Sequence, residues 1–263
     1  MASIWVSSNI EEGTCVNVSS VTFNVSAYDG KKERIKNVVF EQCIVGDDPL
    51  QPYVSKTLVI KQAPPDVIVI PPSDYMVFRY FWGEEDGKDL DTATEYLNTT
   101  ITGNINGVDY SVDDNPVGYN MKGNSNPLIT GTSGMNYEDA LLRFGGDNMQ
   151  SGNECVYINF KYLFETYEES LPQTIEIAVW GTWFSTMLNG NISFEISTYS
   201  GGTMVKDGYN FVNDGGMKQY SKSYSYNIST QKGSAEYKTK YTRIGTIYID
   251  KDTKQIQMIL GTP

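Results

Sequence analysis

Two proline pairs, Pro64-Pro65 and Pro71-Pro72, bracket the short run DVIVI. A proline has no amide hydrogen to give to a β-ladder and fixes its own φ. The run between the pairs is therefore limited to four or five residues of strand, and its flanks are stiff. This is the strongest punctuation in the chain, and it reads as a short rigid connector rather than a floppy linker. It divides the 263 residues into a front module over 1–63, a Pro-rich connector over 64–74 and a larger domain over 75–263, sizes that each suit a β fold.

Both sides of the divide read as strands. In the front module, RIKNVVFEQCIV and SKTLVIKQ are strand-like, the second with Leu58 and Ile60 on one face and Thr57, Val59 and Lys61 on the other. Behind it come YMVFRYFW, TATEYLNTTIT, ECVYINF, TIEIAVWGTWF, NISFEISTY, GYNFV, QYSKSYSYNIS, YTRIGTIYI and QIQMIL. In TIEIAVWGTWF, Ile175, Ile177 and Val179 share one face. Residues 103–134 are rich in Gly, Asn and Asp and read as hairpins and loops. Only KYLFETYEES has helical spacing, with Leu163, Phe164 and Tyr167 on one stripe and Pro172 closing it. With 19 Tyr, 10 Phe and 24 Gly, the chain is expected to be all-β, built from β-sandwich modules with one short helix.

Charge and composition remove whole classes of function. Lys and Arg number 20 against 32 Asp and Glu, a net charge of −12, which repels nucleic-acid phosphates. There is no histidine, so a Ser-His-Asp triad, a Cys-His dyad and an HExxH zinc site are excluded. Cys15, Cys43 and Cys155 form no CxxC or zinc spacing. They read as three buried thiols, with a Cys15–Cys43 disulfide as the alternative. No signal peptide and no transmembrane run is expected.

Two acidic clusters stand out. The first is Glu84, Glu85, Asp86, Asp89 and Asp91; the second is GGDNMQSGNE, with Asp147, Asn148 and Glu154. Oxygen donors of this kind, with carbonyls of a Gly-rich turn, suit a hard cation such as calcium, which wants six to eight oxygens and so more than one loop. Neither cluster has the linear EF-hand order, and on spacing alone both read equally as solvated loops of an acidic protein. Trp180, Trp183 and Phe184 in WGTWF offer either a sugar-stacking platform or core and strand-edge packing.

A family likeness bears on the acids. GKDLDTATEYL after a strand ending in tryptophan, then LLRFGGDNMQSGNECVYINF, then ISFEISTY and the late YTRIGTIYIDKDTKQIQMI, resemble in order the TerD (tellurium-resistance and stress-response) family. The likeness covers about residues 75–263. It implies a β-sandwich that binds calcium through the two acidic segments, a role that falls here on Asp89, Asp91, Asp147, Asn148 and Glu154. The segment SGNECVY offers only Glu154 where the family has further acids, a departure that gives no support to a second calcium site or to tight affinity.

The front module resembles the second half of a BACON domain, an immunoglobulin-like module of gut Bacteroidetes and their phages. VTFNVSAYDGKKERIKNVVFEQ and SKTLVIKQAPP, with Arg34 and Gln62, carry that resemblance. Together the two likenesses imply a non-enzymatic structural component of a phage virion, such as a capsid-decorating or head-fibre protein. It would be assembled in the host cytoplasm with other virion proteins and with copies of itself. The alternatives are a calcium-binding stress or surface protein of a bacterium, and an adhesion module that binds surface glycans through Trp180 and Trp183.

Overall fold

The computed structural model describes residues 6–8, 23–25, 34–41 and 55–62 as backbone, and residues 67–83, 89–132, 137–149, 152–184, 190–230 and 240–261 in full. Glu84, Glu85, Asp86, Cys15 and Cys43 lie outside the described residues. The chain divides into two compact units, Met1–Val67 and Ile68–Pro263. In the first, β1 (Val6–Ser8) pairs antiparallel with β2 (Phe23–Val25), and β3 (Arg34–Glu41) with β4 (Ser55–Gln62). Arg34 stands opposite Gln62, and Val38 opposite Leu58.

The second unit is an all-β sandwich. Its strands are β5 (Val67–Ile70), β6 (Tyr75–Phe81), β7 (Leu90–Tyr96), β8 (Thr102–Ile105), β9 (Val108–Ser111), β10 (Val117–Gly118), β11 (Leu142–Phe144), β12 (Asn153–Asn159), β13 (Thr174–Trp183), β14 (Asn191–Ser200), β15 (Thr203–Asp207), β16 (Asn210–Asp214), β17 (Met217–Asn227), β18 (Thr242–Asp250) and β19 (Ile256–Leu260). One sheet runs β10-β7-β13-β18-β19-β5, the other β11-β12-β6-β14-β17. All pairings described in these two sheets are antiparallel.

The proline-bracketed run forms β5, an outer strand of the six-stranded sheet. That segment, expected as connector, is thus partly strand. Ile68 and Ile70 are buried, and this burial holds the run against the sheet, while the prolines confine it to an edge, where missing ladder donors cost least.

The two sheets close on one core. Met76, Phe78 and Tyr80 of β6, Val156 and Ile158 of β12, and Phe194 and Ile196 of β14 come from one side. Ile175, Ile177 and Val179 of β13, Ile247 and Ile249 of β18, and Ile256 and Met258 of β19 come from the other. Phe78 stacks on Phe194 with centroids 4.8 Å apart. A smaller cluster lies on the outer side of the five-stranded sheet: Tyr75, Val77, Cys155 and Tyr157 are covered by Met204 and Phe211 of the β15–β16 hairpin. That hairpin is clear in the structure but only half visible in the sequence, where its first strand carries a single buried residue, Met204.

The helix-like segment is α2 (Phe160–Tyr167), continued by a 3-10 turn over Glu168–Ser170. Asn159 caps it, its side-chain oxygen accepting from the Tyr162 amide at 2.8 Å. Leu163 is buried, and Phe164 and Tyr167 pack partly against the core. A single-turn helix, α1 (Pro127–Thr130), lies within the loop-like region; Asn126 caps it and a proline opens it. In the same region β8 and β9 form a hairpin around Asn106-Gly107, both with positive φ (53° and 82°), the conformation an Asn-Gly turn supplies. Among the described residues no helix is long and apolar enough to cross a membrane.

Candidate functional site

Asp89 and Asp91 stand at the start of β7. This strand is held on both sides: Thr182 of β13 stands opposite Asp91, and Gly118 of β10 stands opposite Ala93. The Phe184 amide donates to the carbonyl of Asp89 at 2.9 Å. All of Leu90–Tyr96 is buried, including the charged Asp91 and Glu95.

Successive side chains of a strand point to opposite faces. Thr92 therefore leaves the sheet on the other side from Asp91. Its Oγ1 donates to Glu154 Oε2 at 2.6 Å. Thr94, two residues on, faces the hydroxyl of Tyr80, and Tyr80 stands opposite Glu154 in the five-stranded sheet. Thr92 and Glu154 thus form a polar bridge between the two sheets.

Glu154 is fully buried at the start of β12. Its Oε1 is buried and meets no hydrogen-bond donor. The loop before β12 carries the other half of the motif, with Asn148 buried and Asp147 half-buried. The loop's two ends are fastened. Gly145 donates to the carbonyl of Cys155, and Trp82 donates to the carbonyl of Gly152.

The electrostatics bring the sequence-predicted acids together around Glu154. Burial pushes its carboxyl well above the ordinary range, and the Thr92 hydrogen bond works against that shift. The negative charges of Asp91, Asp147 and Asp89 add to it, in that order. Tyr241, also buried, is raised by burial and then by Asp91, Glu154 and Asp89. Acids of the DLD segment and of the GDN segment therefore both act on Glu154, although 56 positions separate Asp91 from Asp147. Among the described residues, no group of three or more Asp, Glu or Cys side chains is placed so that it could hold a metal ion.

Such a site is costly as protein alone. A buried carboxyl beside further carboxylates must either keep its proton or gain a positive partner. The donors available are oxygens. Cys155, the neighbour of Glu154, faces away and gives its Sγ hydrogen to the carbonyl of Tyr209. An oxygen-only, negatively charged set suits a hard divalent cation, calcium above all.

Thr92 and Tyr241 are missing from the sequence-predicted set. Thr92 sits inside the motif DLDTA, but only the pairing of the sheets reveals that it reaches Glu154. Tyr241 has no motif of its own.

The tryptophans separate. Trp183 is fully buried in the core and its Nε1 donates to the carbonyl of Ile228 at 3.0 Å. Trp180 is half-buried on the opposite face, with the Arg243 guanidinium 5.4 Å from its ring centroid. Three positions apart in a strand means opposite faces, so Trp180 and Trp183 do not share a face, and Trp183 fits the core-packing alternative.

Compared with protein-family models, curated proteins and solved structures, the chain gives no significant match to any of them.

Proposed function

We propose that this chain is a non-enzymatic structural protein whose second unit is fastened by a calcium ion, held by Asp89, Asp91, Asp147, Asn148 and Glu154. The observation that carries the reading is Glu154. It is a fully buried carboxyl with one oxygen lacking a donor, and three aspartates oppose its ionisation. A divalent cation would turn this repulsion into attraction by drawing in acids from β7, from the loop before β12 and from β12 itself. It would then act as a staple across the two sheets, adding stability to the sandwich without chemistry of its own. Isothermal titration of chelator-treated protein with calcium is the direct test, and absence of binding at millimolar calcium would remove the reading.

The wider role follows from the module likenesses in the sequence. We place the chain in a phage particle, as a capsid-decorating or head-fibre component in contact with other virion proteins and with its own copies. Co-assembly with capsid or tail proteins tests this placement. Calcium binding without any such assembly would favour a stress or surface protein of a bacterium instead. The glycan-binding alternative loses Trp183 to the core and keeps only Trp180.

A further inference from the structure

We infer that Thr92 is a positioning residue of the cation site, holding Glu154 by one oxygen so that the other is presented to the ion. This inference rests on the calcium reading above and deepens it.

Thr92 is 2% exposed and Glu154 0%. The bond between them is 2.6 Å from Oγ1 to Oε2, within hydrogen-bonding distance for a hydroxyl donor. It leaves Oε1 as the oxygen of Glu154 without a donor.

The backbone of Thr92 is fixed as firmly as its hydroxyl is aimed. The residue stands opposite Gly181 of β13, and its carbonyl packs against Gly118 of β10 so closely that a Cβ there would collide with it. The donor therefore belongs to a strand paired on both sides, and it lies between Asp91 and Ala93 in sequence. One residue of β7 thus offers a carboxylate as cation ligand. The next reaches across the sandwich to orient a ligand from the other sheet. Partners that orient metal ligands in this way set affinity without touching the ion.

The inference predicts that Thr92→Val, which keeps the branched shape and removes the hydroxyl, weakens calcium binding by roughly 10- to 100-fold. Thr92→Ser should bind within a few-fold of the wild type, because the hydroxyl is restored. Thr92→Ala provides the control for packing: it too lacks the hydroxyl but leaves space, and it should lose the same factor as Thr92→Val. Calcium dissociation constants are read by titration calorimetry, and melting in chelator confirms that each variant is folded. A wild type that binds calcium beside a Thr92→Val that binds equally well overturns the role of Thr92 alone. A loss in Thr92→Ala without a loss in Thr92→Val also overturns it, since shape rather than the hydroxyl would then matter. A wild type that binds no calcium overturns the calcium reading and this inference with it.

Discussion

Asp91 and Glu154 belong to different sheets of the sandwich, both are completely buried, and the charge of Asp91 makes Glu154 harder to ionise. If both acids hold the cation, removing Asp91 should remove the response of the second unit to calcium. The test variant is Asp91→Asn. With calcium present it should abolish the stabilisation seen in the wild type. At 100 times its Kd a ligand adds about 2.7 kcal/mol, or roughly 5–10 °C for a domain of this size. Differential scanning calorimetry with calcium and with EDTA measures this response. An Asp91→Asn protein that keeps the full calcium response would remove Asp91 from the site.

The pH dependence of the calcium-free protein follows from Glu154. Its carboxyl is raised by burial first, then by Asp91, Asp147 and Asp89. The native state thus keeps a proton that the unfolded chain releases near its ordinary value of about 4.3. Native protein binds more protons than unfolded protein in that window, so this contribution is fully present below the unfolded value and is lost as pH rises toward the folded one. Urea midpoints measured in EDTA should fall with rising pH above about 5, and Glu154→Gln should flatten the slope. Saturating calcium should flatten it too, because the cation favours the ionised form. An unchanged slope in Glu154→Gln would show that the dependence arises elsewhere.

The two tryptophans of WGTWF should respond very differently to truncation. Trp183 fills the core and donates to Ile228, so Trp183→Ala should cost roughly 3–5 kcal/mol. Trp180 is half-buried and touches Arg243 through its ring face. Trp180→Ala should cost about 1 kcal/mol or less. Chemical denaturation of the two variants provides the comparison, and equal losses would contradict the assignment of opposite faces.

Gly118 should tolerate no side chain. Its φ is +152°, and a Cβ would strike the carbonyl oxygen of Thr92 and the Cα of Ala93. Gly118→Ala should destabilise by about 1–3 kcal/mol through overpacking alone. Because the collision falls on the strand that carries Asp91, it should also weaken calcium binding. Retained affinity in a folded Gly118→Ala protein would show that β7 is less firmly placed than its pairing implies.

Much of this fold is legible in local pattern. The alternation of Ile175, Ile177 and Val179 predicts the buried face of β13, because period-two spacing and burial are the same geometric fact read twice. Asn106-Gly107 marks its hairpin, and Leu163, Phe164 and Tyr167 mark their helix, for equally local reasons. The single turn at Pro127–Thr130 is less visible, since four residues are too few to establish a period. The place of Val67–Ile70 is also not local: its prolines limit the length of the strand, but only burial of Ile68 and Ile70 against the second unit makes it part of that sheet.

The site divides in the same way. The sequence by itself supplies the acids, the absence of histidine and the oxygen-only chemistry, because composition and spacing are properties of the chain. What it leaves open is which acids meet. Among the described acids, Asp91 acts across the sandwich on Glu154, 63 positions further along the chain. That choice was made by antiparallel register, which places Glu154 opposite Tyr80 in one sheet and Asp91 opposite Thr182 in the other. Closing the two sheets over a common core then buried Glu154 beside Thr92, away from water, where the charge of a nearby aspartate acts on it more strongly.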